Sequence, residues 1–263
     1  MLEALREFSR WSHILVGFTG LVAFWIPVFA RKGGNLHRKA GKVFIAAGYW
    51  VCASAALSCG LITTSIFSRG LAAQNADSLS AVTFLSYLAW VTFVTLPYST
   101  AVLKTKKDPT ALDTPWFRFL AYSCFVASAL LVTYATLFPS NWSLLLYVLS
   151  PIGIGTGLPM LRYMKGRGQS KKQWFFEHMS ATIGTGIAFH TAFAVFGASR
   201  LFDLPRTGWI SIIPWILPAL IGTPALTLWR LYYRRKFGEL PGGGRKRDAG
   251  ASDAALHPAA VVD

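Results

Sequence analysis

Long apolar runs, separated by short basic segments, set the strongest limit on what this chain can become. The first runs from about Trp11 to Ala30 and stops at Arg31 and Lys32. A helix needs about 20 such residues to cross ~30 Å of hydrocarbon. Backbone polar groups in lipid must be satisfied internally, which leaves helices as the economical form for such runs. The pattern predicts helices over about 10–30, 40–62, 81–103, 117–138, 142–163, 174–198 and 209–231. Of the 263 residues, 53% are hydrophobic and only 14% charged, where a soluble domain carries about 25% charged residues. The expected fold class is therefore an all-α integral membrane protein, a bundle of about seven transmembrane helices spanning 1–240. Residues 241–263 turn to Gly, Ala and Asp and are expected to form a disordered cytoplasmic tail.

Orientation follows from the cations. Segments 31–42, 104–118, 162–172 and 230–247 hold 21 of the 26 Lys and Arg residues. These alternate with poor segments, and the rich set is expected to face the cytoplasm. The N-terminus is then outside and the C-terminus inside, as in a multi-pass protein of the bacterial inner membrane. A net charge of +15 could suggest nucleic acid. Its placement beside apolar helices suits anionic lipid headgroups instead, so the bilayer is the expected partner. Nothing in the sequence names a redox or protein partner. Trp11, Trp116, Trp142, Trp174, Trp209 and Trp229 lie near predicted helix ends, as an interfacial belt would. Cys52, Cys59 and Cys124 lack metal-ligand spacing and read as packing residues.

Chemistry must come from few groups. His257 lies in the tail; His37 and His178 sort to the inner side, and His13 and His190 to the outer side. His178 and His190 share the sixth helix, twelve residues or about 18 Å apart, and face different neighbours. Glu177, beside His178, is the one acid within a predicted span, and such groups tend to be functional. There is no HExxH, GxSxG or Walker A motif. Prolines at 151, 159, 214, 218 and 224 and the run Gly153-Ile154-Gly155-Thr156-Gly157 weaken the fifth and seventh helices. Helix packing through small residues explains that run most simply.

The segment from Arg31 to Phe44 reads RKGG-x-x-HR-x-x-GK-x-F, with His13, Gly17 and Gly20 upstream. A second stretch, Trp174 to Met179, precedes Thr191-Ala192-Phe193. Together they resemble a family of predicted bacterial membrane proteins known only as a domain of unknown function. The resemblance extends over the first six helices and points to His37 and His178, without implying an activity.

Three functions stay open. The first is electron transfer through haem b, with histidine ligands drawn from His37, His178, His13 and His190 and with Arg38, Lys39 or Arg10 meeting the propionates. The second is a metal-dependent hydrolase in which His37, His178 and Glu177 hold zinc. The third is a transporter or structural subunit without a cofactor, motivated by the broken helices.

Overall fold

The structure, a computed structural model, describes residues 2–167, 170–202 and 213–240. In chain order the helices are α1 (Leu2–Phe29), α2 (Asn35–Ser68), α3 (Ala76–Ala101), α4 (Pro115–Leu137), α5 (Ser143–Leu149), α6 (Pro151–Met164), α7 (Gln173–Ala192), α8 (Ser199–Leu201) and α9 (Ile213–Lys236). No strand occurs among the described residues. Six segments are long and apolar enough to cross a membrane: Glu3–Phe29, Asn35–Ser68, Ala73–Ala101, Pro115–Leu137, Ser143–Met164 and Gln173–Ala198. Helix α9 is not among them; Pro214, Pro218, Pro224 and two threonines dilute it. The expectations for Trp209, His257 and the tail from 241 lie outside the described residues.

The chain forms two units, Met1–Gly222 and Thr223–Asp263. In the second, Arg234 Nε lies 3.7 Å from Glu239 and Lys236 Nζ lies 5.9 Å from the Tyr232 ring centroid. In the first unit large apolar side chains point outward, among them Phe18, Leu130 and Leu144 at 58%, 63% and 69% exposure. A monomer in water does not tolerate that much exposed apolar surface, so the unit is built for a hydrocarbon surround.

Helices α1 and α2 pair antiparallel along nearly their whole length. Gly17 faces Val51, Gly20 faces Ala47, and the Phe24 ring meets Phe44 at 5.4 Å. The pairing continues beyond the apolar run: Ser9 Oγ donates to the Ser54 carbonyl at 3.2 Å, and Arg6 reaches the Leu61 carbonyl at 3.3 Å. Both helices therefore outrun their predicted spans. Hydropathy stops at Arg10, but helix pairing does not. At the other end Gly33, with φ 76°, makes the tight turn that a side chain would resist, and Gly34 starts α2.

The fifth predicted helix is two, α5 and α6, meeting at Ser150–Pro151. The polar groups freed there are closed by side chains. Tyr87 Oη donates to the Ser150 carbonyl at 2.7 Å and accepts from Gly153 N–H at 2.7 Å. Ser128 Oγ donates to the same carbonyl at 2.7 Å. Beyond the break, Gly153 and Gly157 bring the α6 backbone against α4, while Gly155 faces open space. All three cysteines are buried and free.

Helix α7 packs chiefly on α3 and also on α1 and α6. Its fit to α1 is reciprocal: Gly186 receives the Phe24 ring and Gly20 receives the Phe189 ring. The main partner is thus α3. Two α3 hydroxyls bond α7 across this seam, Thr95 to Thr185 at 2.6 Å and Tyr98 to Glu177 at 2.8 Å.

Candidate functional site

The antiparallel helices gather three basic loops at one end of the first unit. Thr110 of the α3–α4 loop touches Gly166 after α6, and Lys106 Nζ sits 4.5 Å from the Trp174 ring centroid at the start of α7. His37, in the first turn of α2, meets His178 of α7 at the same end. Their ring centroids are 6.5 Å apart, with planes inclined by 59°.

Each ring is held by a helix end. The last carbonyls of a helix have no partner within it. At the end of α1 the Pro27 carbonyl accepts from His37 Nδ1 at 3.1 Å. At the end of α3 the chain tightens, so that Leu103 N–H goes to Thr100 and leaves the Ser99 carbonyl free. His178 Nδ1 donates to it at 2.8 Å. A carbonyl can only accept, so both rings carry a proton on Nδ1, and in the neutral imidazole the Nε2 lone pair is available. This is how metal-binding imidazoles are oriented from behind.

Two cations flank the pair. Lys32 shares the Pro27 carbonyl with His37, and Lys106 lies over Trp174, one helical turn before His178. Lys32 Nζ also donates to the Pro27 and Val28 carbonyls at 2.8 and 2.7 Å. Partial burial pushes the Lys32 ammonium below the usual lysine range. Neither lysine forms an ion pair among the described residues.

Glu177 does not join the pair. It is 5% exposed, deeper than a position near a helix end suggests. Tyr98 Oη donates to its Oε2 at 2.8 Å, and Gln173 Nε2 donates to its Oε1 at 2.7 Å. No group of three or more His, Cys, Asp or Glu is placed to hold a metal ion among the described residues. The three-ligand zinc arrangement of His37, His178 and Glu177 is therefore not assembled.

The outer histidines do not meet each other either. His13 Nδ1 lies 2.9 Å from Ser54 Oγ, whose own proton goes to the Trp50 carbonyl. His190 is satisfied at both nitrogens: Nδ1 donates to the Gly186 carbonyl at 2.7 Å and Nε2 accepts from Trp25 at 3.0 Å. His190 thus faces α1, and His178 faces the start of α2 and the end of α3.

Sequence reasoning missed Tyr98, Ser99, Thr95 and Gln173. Thr95 and Thr185 share a hydrogen bond of 2.6 Å, which extends the polar seam between α3 and α7. The readable signal was Thr95-x-x-Tyr98-Ser99, a spacing that puts the polar groups on one helix face. No family profile, curated protein or solved structure matches the chain.

Proposed function

We propose that this chain is a membrane electron-transfer protein that holds haem b between His37 and His178. One observation carries the reading: two imidazoles 6.5 Å apart, each fixed through Nδ1 with Nε2 left free. Two imidazoles this close, each held from behind by a carbonyl, would be able to hold one metal between them. The donor set also fits by number. A zinc site takes three or four protein ligands, whereas a porphyrin brings its own four nitrogens and asks the protein for two. Bound there, haem would supply one-electron redox chemistry. The chain orients both imidazoles, fixes their tautomer and raises their basicity through the carbonyls of Pro27 and Ser99.

The transporter reading draws no support from the α5–α6 break, because Tyr87 and Ser128 occupy its backbone groups. The resemblance to the uncharacterised family agrees with the importance of His37 and His178 and adds no chemistry.

The test is a visible spectrum of the purified protein expressed with ample haem. A Soret band and the sharp visible bands of reduced haem b are expected. His37→Ala and His178→Ala should each abolish them, and His13→Ala and His190→Ala should not. A colourless protein without extractable haem would sink the reading, and stoichiometric zinc in that sample would favour the hydrolase.

For topology we propose seven crossings with α9 as the last, the N-terminus outside, the C-terminus in the cytoplasm, and residence in a bacterial inner membrane. The cation distribution supports this orientation. Reporter fusions after Arg31, Lys106 and Lys171 should read as cytoplasmic, and those after Asn75, Asn141 and Asp203 as external. A consistent inversion would overturn the orientation; two successive loops on one side would overturn the helix count.

A further inference from the structure

We infer that Lys32 and Lys106 form an anion clamp beside the His37–His178 pair and receive the two haem carboxylates, an assignment that rests on the haem reading. Lys32 donates to the same Pro27 carbonyl that His37 uses, and Lys106 lies over Trp174, one turn before His178. Both are held in place without being neutralised. Lys32 spends two ammonium hydrogens on the carbonyls of Pro27 and Val28, and an ammonium has three. Lys106 rests over the face of Trp174 at 4.5 Å, an attraction that leaves its N–H groups free to donate. Carbonyl dipoles and a ring face position a charge without cancelling it. The acids of the α3–α4 loop are engaged elsewhere: Asp108 accepts from Thr110, and Asp113 binds Arg118 through two contacts of 2.6 and 2.7 Å.

The three cations that sequence suggested for this role are placed less well. Arg10 lies far along α1 from the pair, bound to Glu7 at 2.8 Å and over Trp11 at 5.2 Å. Arg38 and Lys39 are exposed, as Lys32 and Lys106 are, but no contact among the described residues holds their charged ends. A preorganised donor loses less conformational freedom on binding than a free one.

A lipid phosphate presents the same anionic oxygens as a propionate, so the experiment must separate the two. The full-length protein in detergent would be titrated with haem b and with its dimethyl ester, which has no carboxylate, and followed by the Soret band. Wild type should bind the ester at least about tenfold more weakly, the scale of one charge-assisted hydrogen bond. Lys32→Gln and Lys106→Met should each weaken haem b by about tenfold and leave ester binding unchanged, which also shows that the variants are folded. Lys106→Arg should retain haem b affinity. Equal binding of haem and ester by wild type would overturn the clamp, as would lysine variants that bind haem like wild type. Variants that lose affinity for phosphatidylglycerol vesicles while keeping haem would assign the clamp to lipid phosphate instead. If the wild type binds ester with both histidines required but shows no preference for haem b, the clamp alone fails. If it binds neither, the haem reading fails and the clamp with it.

Discussion

Alanine at Gly157 should lower the melting temperature of the detergent-solubilised protein sharply, while alanine at Gly155, two residues away, should leave it unchanged or slightly raised. A Cβ at 157 would stand 2.5 Å from the Ala121 carbonyl oxygen and 3.2 Å from the Phe125 ring. The first obstacle is backbone, so relief requires α6 to move off α4. Gly153 meets the same obstacle, with the Cys124 carbonyl oxygen 2.5 Å from its added Cβ. Overpacking of this kind costs about 1–3 kcal/mol and sometimes more. Gly→Ala in a helix interior returns up to about 1 kcal/mol of propensity, so the net effect at 153 and 157 is still a loss of about 1–2 kcal/mol. At 155 nothing lies within 4 Å, and only the propensity gain remains. Equal melting temperatures for all three variants would show that α6 does not pack on α4 in this register.

A second large effect is expected at Gly186. Leucine there would drive into the Phe24 ring, which is itself wedged against Phe44 at 5.4 Å. The opposite wedge, Phe189 against Gly20, has a ring carbon only 2.6 Å from an added Cβ, so α1 cannot slide to make room. Gly186→Leu should cost about 3 kcal/mol or more. On the proposed haem reading it should also weaken haem binding. Pro27, which holds His37, lies three residues beyond Phe24, and His178 lies eight residues, about two turns, before Gly186. Pushing α1 from α7 therefore moves one imidazole away from the other. Combining Gly186→Leu with Phe24→Ala should restore part of both properties, with a coupling of about 2 kcal/mol. Additive losses in the double variant, measured by thermal denaturation and by Soret absorbance, would count against a direct Phe24–Gly186 contact.

Both predictions act where the sequence was least explicit. The run Gly153-Ile154-Gly155-Thr156-Gly157 reads as helix packing or as an opened backbone, and the choice depends on what lies opposite. With α4 carbonyls and Tyr87 in place, Gly153 and Gly157 are packing residues and the break is closed. Glu177 is a similar case. Its position near a helix end suggests a side chain reaching for water, yet Tyr98 and Gln173 hold it inside. The donors come from another helix and from one turn earlier, and neither is implied by the residues beside Glu177.

The sequence by itself determined the helical class, the apolar segments and the alternation of basic loops, because hydropathy, span length and charge are properties of each segment alone. It also singled out His37 and His178. Only the tertiary structure decided what those histidines do with their nitrogens. The Pro27 and Ser99 carbonyls are free because α1 and α3 end where they do, and His37 and His178 reach them because α2 and α7 begin or pass there. His190 differs for the same kind of reason: Trp25 of α1 takes its second nitrogen. Which lone pair stays open is a property of four helix ends meeting at one level, and that follows from packing between segments far apart in the chain.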